Sequence, residues 1–248
     1  MKLAEMTWPE VEAYLRGSPG IILPTGSTEQ HGPIGLIGTD AICAQAVAER
    51  AAEAAGAIVA PVQALTPAQF NLAFPGTISL RARTFTALVY DVLASLAGQG
   101  FTRIYILNGH GANLAPIRAA IHDATQDLDA AFAVRLRSWW DYPETDVLRR
   151  SLYGEWEGMH ATPSEVAITQ ALVRAVTGAE APPEALSADY LKAHAGDLHG
   201  DAADHRRRFP DGRVGAHSAL ASPEQGRALL DTAVREAAAD YQAFLKEA

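Results

Sequence analysis

The chain has 248 residues, of which 48% are hydrophobic, and a formal net charge of −9 at pH 7. This size suits one α/β domain over residues 1–248, and the acidic balance excludes nucleic acid or an anionic membrane as the main partner, because both require a basic face. The chain has a single cysteine and no run of about 18 apolar residues, and its first residues do not have the basic start and apolar run of a secretory signal. We therefore expect a cytoplasmic protein without a secretory signal or a membrane span.

Apolar periodicity predicts alternating helices and strands in the first 140 residues. In chain order we expect a helix over 8–16, a strand over 20–26, a helix over 40–56, a strand over 57–65, a helix over 84–97, a strand over 102–108, a helix over 113–127 and a strand over 131–140. This alternation predicts a three-layer α/β/α fold with a mainly parallel central sheet.

The pattern weakens beyond residue 141. We predict a loop over 152–163, a helix over 163–177, a connector over 178–188, a long loop over 192–217 and a closing helix over 222–246. The long loop is interpreted either as solvated surface or as a cap over a pocket or an oligomer neighbour. It contains His194, His199, His205, His217 and the run Arg206-Arg207-Arg208.

Carboxylates and imidazoles follow two of the predicted strands. Glu29 and His31 come after the first strand, Asp40 begins a helix behind Thr39 as its N-cap, and His110 follows the strand over 102–108. The carboxyl ends of parallel strands meet at one edge of a sheet, and a mixed set of carboxylates and imidazoles suits Zn, Mn, Fe or Co. We interpret the set as a metal site. The alternatives are that Asp40 only favours the helix dipole and that His110 is only a polar turn residue. Glu29 and His31 could likewise lie in a solvated loop.

A third cluster lies in GEWEGMHATPSEVAIT, residues 154–169. Thr162 and Glu165 have the spacing of a capping box, so Glu165 is either a helix cap or a functional carboxylate. His160 follows a glycine-rich loop, which favours a working imidazole over a core residue. Trp139, Trp140 and Trp156 are interpreted either as core aromatics or, for at least one of them, as part of a pocket wall.

Three segments resemble the creatininase family of binuclear metal hydrolases: PTGSTEQHGPIGLIGTD, ILNGHGAN and WEGMHATPSE. The resemblance covers residues 20 to 170 and implies a single α/β/α domain, commonly assembled as a homohexamer. It implies two divalent metal ions per chain, either Zn, Mn or Fe. Glu29 and His110 would hold one ion, His31 would help to hold the other, and Asp40 would bridge them.

The resemblance also implies roles for residues beyond the ligands. His160 matches the catalytic histidine, and Trp156 matches an aromatic residue at the substrate. Two positions depart from the family pattern. Ile34 stands where many relatives have histidine, which disfavours a creatinine-like or strongly polar substrate. Ala112 stands where creatininase has a glutamate ligand, so another carboxylate must complete the second ion, and Glu165 is the candidate.

Together these interpretations predict an amidohydrolase that acts on carbon–nitrogen bonds other than peptide bonds. Its substrate would be a small amide, cyclic amides included, and it would need no organic cofactor. Metal-activated hydroxide would attack the carbonyl, with His160 as the proton shuttle and Glu165 in the catalytic set. The alternatives are a relative with another substrate, such as a deformylase, a peptide-trimming enzyme or a keto-cyclitol hydrolase, and a non-catalytic binding protein that contains metal.

Overall fold

The computed structural model describes residues 1–129, 131–194 and 200–247. The central sheet has the order β2-β1-β3-β4, and every neighbouring pair is parallel. Its strands are β1 (Gly20–Thr25), β2 (Ile58–Val59), β3 (Arg103–Asn108) and β4 (Ala133–Ser138). The helices are α1 (Trp8–Leu15), α2 (Thr39–Ala55), α3 (Ala82–Gly98), α4 (Leu114–Asp127), α5 (Pro143–Tyr153), α6 (Pro163–Leu172), α7 (Ala188–Ala193), α8 (Ala202–Arg208) and α9 (Pro223–Leu245).

Helices cover both faces of the sheet. Because side chains alternate along a strand, Ile22 and Tyr105 pack into the core that α2, α6 and α9 share, whereas Ile21 and Ile104 pack into the core beside α3 and α4. Strands buried on both faces read as continuous apolar runs, which is why β1 and β3 stood out in the sequence. The predicted three-layer α/β/α fold with a parallel sheet is confirmed.

Several predicted boundaries are wrong. The strand over 57–65 shrinks to β2 because an extra residue interrupts the ladder to β1. The Ala60 N–H donates to the Ile22 carbonyl at 2.8 Å, but the next bond comes from Gln63, to the Pro24 carbonyl at 3.0 Å, so pairing resumes only as an isolated bridge between Thr25 and Gln63. The helix over 163–177 ends at Leu172, where β-branched residues follow. Helix α5 was not predicted, although Pro143 at its first turn is a typical helix start.

The predicted loop over 192–217 is partly helical. The Asp201 carboxylate accepts hydrogen bonds from the backbone N–H groups of Ala203 and Asp204, at 2.9 and 3.2 Å, and so caps the start of α8. The arginine run lies mostly in contact with aromatic rings: the Arg206 guanidinium lies 4.7 Å from the Phe74 centroid. His199 lies outside the described residues. Within the described residues, no helix combines the length and the apolar character that a membrane span requires.

Candidate metal centre

The sheet edge brings the predicted site residues together. β1 leads into the segment that carries Glu29 and His31, β3 ends two residues before His110, and Asp40 lies in the first turn of α2. All four side chains are buried, so they are not part of a solvated loop. The predicted N-cap is wrong: α2 begins at Thr39 itself, whose hydroxyl donates to the carbonyl of Leu36 at 2.6 Å.

Two glycines let the first turn of α2 approach the strand ends. A Cβ on Gly109 would lie 2.5 Å from the backbone oxygen of Asp40, and a Cβ on Gly26 would lie 2.4 Å from the backbone nitrogen of Ala41. Real Cβ atoms do not come this close to backbone. Glycine at both positions therefore allows Asp40 to sit directly above the ends of β1 and β3.

The buried carboxylates and imidazoles form overlapping groups of potential metal ligands. Within each group, the ligand atoms lie within 4.8 Å of one another. Glu29, His31 and Asp40 each belong to two groups. Asp40 is the carboxylate whose two oxygens face different imidazoles, Oδ1 that of His31 and Oδ2 that of His110, as expected of a carboxylate shared by two ions. The groups are Glu29, Asp40 and His110; His31, Asp40 and Glu165; and Glu29, His31 and His160.

Backbone carbonyls fix the orientation of each imidazole. A carbonyl oxygen can only accept, so the ring nitrogen facing it must carry the hydrogen. His31 Nδ1 donates to the Glu29 carbonyl at 3.2 Å, His110 Nε2 to the Pro67 carbonyl at 2.8 Å, and His160 Nε2 to the Gln30 carbonyl at 2.7 Å. The second nitrogen of each ring is thereby directed at carboxylates, as in metal-binding histidines.

The distances across the cluster are short. His31 Nε2 lies 2.9 Å from Asp40 Oδ1, and His110 Nδ1 lies 3.1 Å from Asp40 Oδ2 and 3.3 Å from Glu29 Oε1. Asp40 Oδ2 is buried and has no hydrogen-bond partner in the described chain. A neutral His110 has no hydrogen to give from Nδ1, so lone pairs face each other there. The donor set therefore fits a divalent cation.

Opposite charges decide the pKa values in the cluster. Burial lowers the pKa of His31, but the carboxylates of Asp40, Glu165 and Glu29 outweigh it and raise the pKa to about 10. Burial also opposes ionisation of Asp40, yet His31 and His110 hold its pKa well below the ordinary range. For Glu165, burial prevails over the attraction of His31 and raises the pKa to about 7. Protons on His31 and Glu165 therefore take the place that cations could fill.

Glu165 forms the predicted helix cap, and its position is compatible with the predicted functional carboxylate. Its Oε1 accepts from the Thr162 backbone N–H at 2.5 Å, and the Thr162 hydroxyl accepts from the Glu165 N–H at 3.3 Å, which completes the capping box of α6. The same Oε1 lies 3.8 Å from His31 Nε2. A carboxylate can serve both partners because each oxygen accepts more than one contact.

A cavity of about 570 Å³ opens onto the cluster. Asp40, His110, His160 and Glu165 line one part of it, and Trp140 lies in another part of the wall. Trp156 is not among the described lining residues; instead its ring packs edge-on against His217, with the centroids 5.9 Å apart. Trp139 is buried in the core and also borders the cavity.

The cavity wall also contains charged residues that the sequence did not single out. Glu157 is buried, which raises its pKa, and its Oε1 accepts hydrogen bonds from Ser164 Oγ at 2.5 Å and Arg149 Nη1 at 3.2 Å. Arg149 also pairs with Asp146 at 2.6 Å. Glu157 stands three residues before His160, so its place in the motif was the available signal.

Comparisons with known proteins agree with this architecture. The family model Creatininase, described as creatinine amidohydrolase, matches residues 4–240. The creatinine amidohydrolase of Pseudomonas putida is 33% identical over 184 residues, which are 68% of this chain and 71% of that protein. The 3-dehydro-scyllo-inosose hydrolase of Thermotoga maritima is 33% identical over 118 residues, which are 47% of this chain and 38% of that protein.

A solved structure shows the same fold. The structure named Creatininase Mn aligns with a TM-score of 0.80 and 29% identity, and the alignment covers 99% of each chain. The predicted family and enzyme class, a hydrolase of carbon–nitrogen bonds other than peptide bonds, are confirmed. The chain therefore belongs to the creatininase family of amidohydrolases.

Proposed function

We propose that the chain holds two divalent ions and uses them to hydrolyse the carbon–nitrogen bond of a small amide, cyclic amides included. One ion would lie between Glu29, Asp40 and His110. The other would lie between His31, Asp40 and Glu165. The observation that carries this proposal is the orientation of the imidazoles, each of which gives one N–H to a backbone carbonyl and turns its other nitrogen to a buried carboxylate.

Bound divalent ions polarise a carbonyl group and lower the pKa of water towards about 7, which makes hydroxide available at neutral pH. The chain supplies what this chemistry requires. Asp40 stays ionised because His31 and His110 lie against it. Burial of the ligands keeps bulk water away, which strengthens every charge interaction inside the site.

His160 is proposed to move the proton to the leaving nitrogen. Its Nε2–H is committed to the Gln30 carbonyl at 2.7 Å, so Nδ1 is the nitrogen that takes up and releases the proton. Nδ1 lies 3.5 Å from Glu29 Oε1 and belongs to a residue that lines the cavity. An imidazole suits this task because the ordinary pKa of histidine, about 6.5, is close to neutral pH.

Further properties are proposed, the location and the domain count on the length and composition of the chain, and the assembly on the family resemblance. These are a cytoplasmic location, a single domain and a homo-oligomer, most simply a hexamer. Sedimentation velocity at micromolar concentration tests the assembly, and a monomer would contradict it. We propose Zn, Mn or Fe as the metal. A small-molecule amide remains the proposed substrate, with Trp140 in the cavity wall as the aromatic contact. Trp156 is proposed as a substrate contact on the family resemblance alone, since it is not among the lining residues described for the cavity.

The experiment is a turnover assay with a substrate panel. Purified protein loaded with Zn²⁺, Mn²⁺ or Fe²⁺ is tested on creatinine, formamides, short peptides and keto-cyclitols, with chelator-treated protein as the control. We expect hydrolysis of at least one amide that disappears with chelator and returns with metal. No turnover of any substrate with any metal would favour the non-catalytic binding protein.

A further inference from the structure

Two buried side-chain amides connect the proposed metal centre to distant backbone. We propose that Gln30 and Asn71 form an amide relay that orients the Glu29 carboxylate towards the metal. This inference rests on the proposed function, because it assigns positioning residues to that metal centre. Neither amide belongs to the ligand groups, and both are buried. Buried polar groups need defined partners, and here those partners form a chain.

The relay ends on one oxygen of Glu29. Asn71 Nδ2 donates to Glu29 Oε2 at 3.0 Å, whereas Oε1 lies 3.3 Å from His110 Nδ1 and 3.5 Å from His160 Nδ1. A hydrogen bond to Oε2 fixes the plane of the carboxylate and favours its ionised form, which is the form that binds a cation. Asn71 thereby leaves Oε1 directed at the cluster.

Gln30 fixes the orientation of the Asn71 side-chain amide. Gln30 Nε2 donates to Asn71 Oδ1 at 2.8 Å, so Asn71 must turn its NH₂ group towards Glu29. Gln30 is itself fixed by backbone groups that can play only one role. The N–H of Gly32 donates to Gln30 Oε1 at 2.8 Å, and the carbonyl of Gly212 accepts from Gln30 Nε2 at 3.0 Å. Flipping either amide would set like groups face to face.

The Gln30 amide has no spare hydrogen and little space around it. Both hydrogens of Gln30 Nε2 are used by Asn71 and Gly212. The 3.0 Å contact between Gln30 Nε2 and His160 Nε2 is therefore not a hydrogen bond, and His160 Nε2 gives its own hydrogen to the Gln30 carbonyl at 2.7 Å. A Cβ on Gly212 would lie 1.9 Å from Gln30 Oε1. The backbone φ of Gly212, +85°, also favours glycine at this position. Gln30 therefore connects the segment after α8, which contains Gly212, to the proposed metal centre through hydrogen bonds.

The test is a Co²⁺ titration of metal-stripped protein, followed by visible absorption and by competition with a chelator. Asn71→Leu keeps the size of the side chain and removes its hydrogen bonds. We expect binding of one ion to weaken 10- to 100-fold and the Co²⁺ spectrum to change, because the orientation of a ligand is lost. Asn71→Ala, which leaves room for water, is used if the leucine variant does not fold, with the same expectation.

The matched control is Thr145→Val. Thr145 is also buried, and its hydroxyl donates to the Glu236 carboxylate at 2.8 Å, outside the ligand groups. This control removes an equivalent hydrogen bond, so it should lower stability and leave Co²⁺ affinity and spectrum as in the wild type. Wild-type affinity and spectrum in the folded Asn71 variants would overturn the inference.

A double-mutant cycle tests the relay itself. Gln30→Leu alone should weaken Co²⁺ binding, and it should add nothing in the Asn71→Leu background, because both act through the same contact with Glu29. Additive losses would overturn the relay. If the wild-type protein binds no Co²⁺, the proposed function fails instead, so the two failures are distinguishable.

Discussion

His160 differs from the other two imidazoles in its surroundings, although a backbone carbonyl fixes each ring. His160 and His110 both line the cavity, but His160 lies 3.5 Å from the Glu29 carboxylate, whereas His31 and His110 lie within 3.1 Å of Asp40. His160→Ala should reduce turnover by about 10²- to 10⁴-fold, as expected for loss of a proton donor. Elemental analysis of the same sample should show wild-type metal content. Loss of metal would make His160 a ligand.

Glu165 is the residue at which capping and metal binding can be separated. Glutamine still closes the capping box through its amide oxygen, but it is a neutral and poor ligand. Glu165→Gln should therefore leave the thermal stability of chelator-treated protein almost unchanged and reduce bound metal from two ions towards one. Glu157→Gln is the matched control, because Glu157 lines the same cavity outside the ligand groups and should keep both ions.

Retention of both ions and full activity by Glu165→Gln would show that the carboxylate serves only as a cap. A second substitution extends the test. Ala112→Glu in the Glu165→Gln background places a carboxylate where the family resemblance puts one. Recovery of the second ion would show that the two positions are alternative sources of one ligand, whereas continued loss would leave Glu165 as the sole source.

At the scale of elements, the site depends on how closely α2 approaches the ends of β1 and β3. Gly109→Ala forces a Cβ to within 2.5 Å of the Asp40 carbonyl oxygen, so α2 must shift. We expect a loss of about 1–3 kcal/mol in the free energy of unfolding and reduced metal content, because Asp40 moves with the helix. Chemical denaturation and elemental analysis measure these effects.

Gly98→Ala is the control for this prediction. A Cβ on Gly98 would meet nothing within 4 Å, and the residue lies at the end of α3. Alanine there should stabilise the protein by up to about 1 kcal/mol, since it lowers the entropy of the unfolded chain. A Gly109→Ala protein with normal stability and two bound ions would contradict the close-approach argument.

The same elements explain what the sequence can and cannot predict. Glu29, His31 and His110 were identifiable because each follows a continuous apolar strand, a local pattern that survives in the fold. The predicted N-cap at Thr39 is wrong because Thr39 is the first residue of α2 and its hydroxyl donates to the Leu36 carbonyl. A boundary of this kind depends on a contact in the folded loop, and propensity does not contain it.

Contacts between residues far apart in the chain leave no local pattern in the sequence. Asn71 meets Glu29 across 42 positions, and Gln30 meets Gly212 across 182. Neither partner is close enough in the chain to produce a periodicity or a turn motif. The α8 helix was missed for a related reason: it has only seven residues, so its apolar spacing is too short to register, and only its cap at Asp201 gave a signal.

For the whole molecule, the pKa shifts predict how stability changes with pH. The pKa of His31 rises from 6.5 to about 10 on folding, so its contribution is complete below pH 6.5 and is lost as the pH rises to about 10. The pKa of Glu165 rises from 4.5 to about 7, so its contribution to stability is complete below pH 4.5 and is lost as the pH rises to about 7. Chelator-treated protein should therefore become less stable between pH 5 and 10.

Metal binding should change this dependence, because ions replace the protons on His31 and Glu165 and bind more tightly as the pH rises. The difference in Tm between metal-loaded and chelator-treated protein should widen from pH 6 to pH 9. Thermal unfolding monitored by circular dichroism measures it. A chelator-treated protein that is more stable at pH 9 than at pH 6 would show that the buried cluster does not take up protons.

The most direct test of the metal centre is its stoichiometry. Protein purified without chelator, loaded with Zn²⁺ or Mn²⁺ and passed through a desalting column is analysed for metal by mass spectrometry, with protein quantified by amino-acid analysis. Two ions share Asp40 in the proposed centre, so two ions per chain are expected for the wild type, falling towards zero in Asp40→Asn. A value of one ion or less per chain in active wild-type protein would contradict the shared site.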